Sequence, residues 1–151
     1  MVSRMDSAQT DGPRGALHEV QQQAGRRWVV LGALLGCAGV AAGAFGAHGL
    51  RKVLSPELLA IYHTGARYHL IHALALVLVG ALAPRLAGAG RRGRAVDVAG
   101  AGFALGVLIF SGSLYVLAIS GQRWLGAITP IGGVAFMVGW LSLAWAAWRC
   151  R

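Results

Sequence analysis

The sequence predicts an all-α integral membrane protein, a four-helix bundle with both termini in the cytoplasm, and three observations carry that reading. Hydrophobic residues make up 56% of the 151-residue chain and charged residues only 13%, about half the charged share of a soluble domain. Four runs free of Asp, Glu, Lys and Arg follow one another: Trp28 to Ala47, Tyr68 to Ala83, Val98 to Gln122 and Trp124 to Trp148. The basic residues between them fall mostly at alternate ends. A net charge of +9 and a pI near 11.3 would suggest nucleic-acid binding in a soluble protein. Here the bases lie between apolar runs, so membrane topology accounts for them and no nucleic-acid partner is expected. The fourteen bases are all arginine except Lys52, and with the Ala and Gly bias this points to a GC-rich bacterial coding sequence.

Residues 1–26 are rich in Ser, Gln, Asp, Gly, Pro and Arg with little apolar periodicity, which predicts a flexible cytoplasmic tail ahead of a membrane domain over 27–151. The first helix is expected over 28–48. Its apolar run exceeds the 7 to 15 residues of a signal-peptide core, so it reads as a spanning helix and not a cleaved leader. Ser55-Pro56-Glu57 supplies a cap, a first-turn proline and a favourable charge, and predicts a second helix over 56–83. Its early turns place Tyr62 and Tyr68 in the headgroup layer, with Arg67 snorkelling outward. A hairpin from Pro84 to Asp97 then leads to a third helix over 97–120, with Asp97 at its positive end. The GAGRRGR stretch within that hairpin reads as a topology signal that touches anionic lipid. Thr129-Pro130 opens the fourth helix, expected over 129–148, and Trp140, Trp145, Trp148 and Arg149 read as an anchor at its far end.

Orientation follows from the bases, which are retained on the cytoplasmic side. Arg26, Arg27, Arg85, Arg91, Arg92, Arg94, Arg149 and Arg151 fall on one side of the membrane, against Arg51, Lys52, Arg67 and Arg123 on the other. Both termini are therefore expected inside, in a bacterial inner membrane.

Lipid offers little hydrophobic drive for helix pairing, so close approach through small residues must contribute. Gly32 with Gly36 and Gly39 with Gly43 are each spaced by four on the first helix. Gly102 and Gly106 on the third helix, and Gly132, Gly133 and Gly139 on the fourth, extend the same expectation. Cys37 and Cys150 are too far apart in this topology to pair, and Cys37 reads as a small packing residue.

The topology brings seven polar side chains toward the outer leaflet: His48, Arg67, His69, His72, Ser113, Tyr115 and Thr129. Polar groups at such depth usually turn into the bundle, where they form interhelical hydrogen bonds. A pathway for a proton or small solute is the alternative, although no Asp or Glu lies within the four runs. A third reading is a haem or quinone site with His48 and His72 as the ligand pair. The chain lacks HExxH, GxSxG and GxxxxGK[ST]. No catalytic residue, metal or resident cofactor is expected, and the chain reads as a non-enzymatic structural or accessory protein. Its expected partner is the lipid bilayer, with a second copy or another membrane protein as further candidates.

Four motifs in order, GAFGAHGL (43–50), Tyr68-His69-x-x-His72-Ala73-Leu74-Ala75, FSGSLYVLAIS (110–120) and ITPIGG (128–133), closely resemble the YgdD family of small four-helix membrane proteins. The resemblance runs from about Arg27 to Trp148. It implies a bacterial inner-membrane protein without assigned catalytic or ligand residues. His69 stands where a member of that family can carry Gln, and Arg67 where an acid can occur. His48, His72, Ser113, Tyr115, Thr129 and Pro130 match the family pattern.

Overall fold

The computed structural model describes residues 13–86 and 91–149, so residues 1–12 of the tail expected over 1–26, residues 87–90 of the Pro84 to Asp97 hairpin, Cys150 and Arg151 lie outside the described residues. All the regular structure described is helical. Helix α1 runs Pro13–His48 and α2 runs Pro56–Leu86. The third span is built from α3 (Arg91–Gly106), a π-helical turn (Val107–Ser111) and α4 (Gly112–Ser120). Helix α5 runs Thr129–Trp148. Four stretches, Gly25–Lys52, Pro56–Leu86, Gly93–Ser120 and Arg123–Trp148, are long and apolar enough to cross a membrane.

Three boundaries differ from the sequence reading, each for a local reason. Helix α1 begins at Pro13, inside the segment expected to be a tail, because Ala, Leu, Glu and Gln form helix well without any apolar stripe. Helix α2 continues through Pro84 to Leu86. Proline at that position denies an N–H to the Gly80 carbonyl, and this same oxygen faces Gly25 of α1. Helix α3 begins at Arg91, not Asp97, so the hairpin is shorter than the Pro84 to Asp97 loop expected. Asp97 sits well inside the helix, where it pairs with Arg27 and accepts from the Trp28 indole N–H at 3.4 Å. The other helix starts match expectation. Ser55 Oγ accepts from the Leu58 N–H at 3.3 Å, and Gly121, with φ of 71°, ends α4 in the left-handed conformation that glycine adopts without strain.

Helix α1 packs on α2, the third span packs on the other side of α2, and α5 packs on α3 and the π turn. Helix α2 and the third span therefore form the interior: half of the most apolar stretch of α2 is buried, against 17% in α1 and 22% in the fourth span. The main core joins Leu76, Val79 and Ala83 of α2 to Val96, Ala99 and Phe103 of α3, with Phe136 and Leu143 from α5. A smaller cluster of Leu50, Tyr62 and Ala118 closes the opposite end. Facing outward, Leu34, Leu74, Leu108 and Leu141 are each 64–72% exposed. One such leucine on every span is the mark of a surface solvated by lipid.

The α1–α2 seam runs on a seven-residue repeat. Gly25, Gly32, Gly39 and Gly46 are all buried, and each meets α2: Gly80 opposite Gly25, Ala73 and Val77 opposite Gly32, Leu70 opposite Gly39, and Tyr62 opposite Gly46. A heptad keeps one face of a helix turned to a partner along its whole length. The four-residue pairs expected from the sequence are split by this seam, since Gly36 and Gly43 have no neighbour within 4 Å of a built Cβ. On the other side of the bundle, Gly102 meets Ala135 and Gly139, Gly106 meets the Phe136 ring, and Gly132 meets the Phe110 backbone, while Gly133 is in loose contact at 3.9 Å.

A methyl group at Gly32 would lie 2.8 Å from both the Ala73 oxygen and the Val77 nitrogen, neither of which a side-chain rotation can move. Thermal unfolding in detergent should therefore show Gly32→Ala destabilised by about 1–3 kcal/mol, and Gly36→Ala unchanged within about 0.5 kcal/mol.

Candidate functional site

His72 is at the centre of the polar residues inside the bundle. It lies on the buried face of α2 with Gly65, His69, Leu76 and Val79, at the three- and four-residue spacing of one helical side. Its Nδ1 is 2.8 Å from the Tyr68 carbonyl oxygen, and its Nε2 is 3.3 Å from the indole nitrogen of Trp140 on α5. A carbonyl only accepts and an indole N–H only donates. The ring must therefore carry its proton on Nδ1, donate to Tyr68 and accept from Trp140, which makes it a neutral imidazole with both nitrogens engaged. Phe136 stacks on it with ring centres 3.5 Å apart and planes 10° from parallel, and Phe103 closes another side at 5.6 Å.

His69 joins α2 to α4, its Nδ1 lying 3.2 Å from the Tyr115 hydroxyl. Its Nε2 is buried without a hydrogen-bond partner among the described residues. Tyr115 also packs on Tyr62, with ring centres 4.8 Å apart, and Tyr62 donates its hydroxyl proton to the Ala42 carbonyl of α1 at 3.1 Å. Ser113 of α4 donates to the Phe110 carbonyl at 3.0 Å and lies 2.9 Å from the Thr129 hydroxyl, which ties α4 to the start of α5.

The π turn controls this arrangement. Each π-type turn inserts an extra residue into a helix and rotates everything beyond it, so Val107–Ser111 sets the facing of Ser113 and Tyr115 relative to α3. Ser111, the last residue of the turn, is fully buried, and its hydroxyl has no protein partner. Nothing in the FSGS sequence announces the turn.

Of the seven side chains expected together, five are brought into the interior or its edge: His69, His72, Ser113, Tyr115 and Thr129. They form three separate links and not one cluster. Arg67 is exposed and joins none of them. His48 is exposed at the end of α1, and none of the ring contacts of His72 is with α1. The seam explains the separation. Gly46 lies opposite Tyr62, so His48 is level with the start of α2, ten or more residues and about 16 Å from His72 along the helix axis. The two histidines cannot act as a ligand pair at one depth. Among the described residues no group of three His, Cys, Asp or Glu side chains could hold a metal ion.

Trp140 is the residue that the sequence reading misplaced. Grouped with Trp145 and Trp148 it read as an interfacial anchor, yet it follows Thr129 by eleven residues, about 16 Å into the membrane. Its spacing from Phe136 was the available signal, because four residues put the two on one face. Trp145 does stay with Arg149, whose guanidinium lies 5.6 Å from its ring centre.

Residues 42–133, which include every predicted polar residue of this interior, match the family described as "Protein of unknown function (DUF423)". The chain belongs to the DUF423 family. Among DUF423-like relatives, the "UPF0382 membrane protein YwdK" of Bacillus subtilis is 44% identical over 120 residues, 80% of this chain and 94% of the relative. A UPF0382 membrane protein of Haemophilus influenzae is 36% identical over 125 residues, 83% of this chain and 96% of the relative. No solved structure matches. The DUF423 match ends before Trp140, so the indole partner of His72 stands outside the matched segment while His72 stands within it.

The protonation state of His72 is directly measurable. Nitrogen NMR of the imidazoles should show His72 protonated at Nδ1 with an unprotonated, hydrogen-bonded Nε2. A double-mutant cycle of His72→Leu and Trp140→Phe should give a coupling of about 0.6 kcal/mol, the usual size of an interhelical hydrogen bond in a membrane.

Proposed function

We propose that this DUF423 protein is a non-enzymatic structural or accessory component of the bacterial inner membrane, with both termini in the cytoplasm, and that its buried polar residues serve to fix helix packing. The observation that carries the reading is the state of His72. With one nitrogen donating to a carbonyl and the other accepting from an indole, the ring has no free lone pair for a ligand and no free site for an incoming proton. The Ser113 and Thr129 hydroxyls are likewise engaged, with each other and with the Phe110 and Leu125 carbonyls. The bias of arginines to one side of the bundle supports the orientation, and the finer likeness to the YgdD family accords with an inner-membrane location. On this reading the lipid bilayer is the working environment, and a second copy or another membrane protein is the natural partner.

Transport of a proton or small solute is the second reading, favoured by two atoms. The Ser111 hydroxyl and His69 Nε2 are buried at membrane depth without partners, and such groups cost free energy unless a polar species meets them. One reconstitution experiment separates the readings. Vesicles containing the protein should be no more permeable to protons or small solutes than empty vesicles. A flux that is lost in Ser111→Ala or His69→Leu would instead select transport. Topology is tested by cysteine labelling in intact cells, in a background without the native cysteines: an impermeant maleimide should reach Val53→Cys and not Arg94→Cys.

A further inference from the structure

We propose that the membrane-entry end of α1 is a binding site for an anionic phospholipid. A surface pocket of about 490 Å³ lies there, lined by Gln23, Arg26, Arg27, Val30, Leu31 and Leu34. The lining is graded along the helix axis. Its polar residues occupy the first turn and its apolar residues the next two, over about 16 Å. The spanning stretch begins at Gly25, which sets the polar end at the headgroup layer and the apolar end among the acyl chains. A phospholipid has that same order of chemistry over that same depth.

The charges select the kind of lipid. Arg27 is engaged by Asp97 and lies over the Trp28 ring at 4.9 Å. Arg26 beside it is exposed and has no ion pair among the described residues. Gln23, one turn away, adds an amide donor. A phosphodiester accepts from both groups, and guanidinium is the side chain best shaped to hold it. None of the six lining residues is acidic, so none of them offers a counter-charge to the ammonium group of a zwitterionic lipid. Val30 and Leu34, 50% and 64% exposed, provide the track for one chain.

The test is native mass spectrometry of the full chain in mild detergent, titrated with phosphatidylglycerol and with phosphatidylcholine of the same chain length. The wild type should bind phosphatidylglycerol more tightly. Arg26→Gln should weaken that binding about fivefold, the worth of one basic residue at an anionic surface, and leave phosphatidylcholine unchanged. Arg94→Gln removes an equal charge outside the pocket, from the stretch expected to meet anionic lipid only as a general basic surface, and should weaken phosphatidylglycerol binding by less than about twofold. Equal binding of the two lipids by the wild type would overturn the proposal. So would an equal loss in Arg26→Gln and Arg94→Gln, which would mean a general basic surface and no site. Displacement of the lipid by inorganic phosphate, with no advantage for long chains over short ones, would assign the arginine to a free anion and also overturn it.

Discussion

A bilayer core supplies no water, so a polar side chain placed inside it is stabilised when protein groups meet it, and several here are met by a neighbouring helix. This constraint organises the whole molecule. Tyr62 reaches the α1 backbone, His69 reaches Tyr115 on α4, His72 reaches Trp140 on α5, and Ser113 reaches Thr129 across the α4–α5 junction. Arg27 and Trp28 reach Asp97 at the opposite end, joining α1 to α3. Each tie is modest by itself, under about 2 kcal/mol. Their distribution gives them weight, because each joins a different pair of elements and together they fix rotation and register where leucine packing alone would allow sliding.

Those ties need backbones close enough for short side chains to cross. The glycine heptad of α1 supplies that closeness on one side of α2, and Gly102, Gly106, Gly132 and Gly139 supply it between the third span and α5. At Gly39 the two requirements meet, since the missing side chain leaves room for Leu70 and the His69 ring against α1. The polar network and the glycine seams are thus two aspects of one packing solution, and neither would hold its geometry without the other.

Much of this was legible in the sequence. Four uncharged runs gave the number of spans, and Ser55-Pro56 and Thr129-Pro130 marked two helix starts, because capping and proline effects are local. The side of each helix that faces inward was harder to read. Gly36 and Gly43 looked like partners of Gly32 and Gly39, since spacing by four and spacing by seven both return to about one face, and only the real contact with α2 chooses between them. Trp140 was hidden by composition: three tryptophans near a helix end resemble an anchor. The π turn was hidden altogether, because a one-residue insertion in a helix goes with long-range packing, here of the Phe110 backbone against Gly132 of α5, and the turn's own apolar residues do not mark it. His48 stands apart from the interior polar residues for a related reason, since its depth depends on the α1–α2 register.

The four spans do not stand at the corners of a square. Helix α2 and the third span touch along much of their length, while α1 and α5 lie on opposite flanks and meet at most marginally. In cross-section this is a flattened rhombus with its short diagonal filled by side chains such as Leu76 and Phe103. Among the described residues, that packed diagonal stands where a four-helix channel would have its axis. A single copy is in effect a plank, and any aqueous lumen would have to be walled by several planks set edge to edge, with the outer faces of α1 and α5 as the joints.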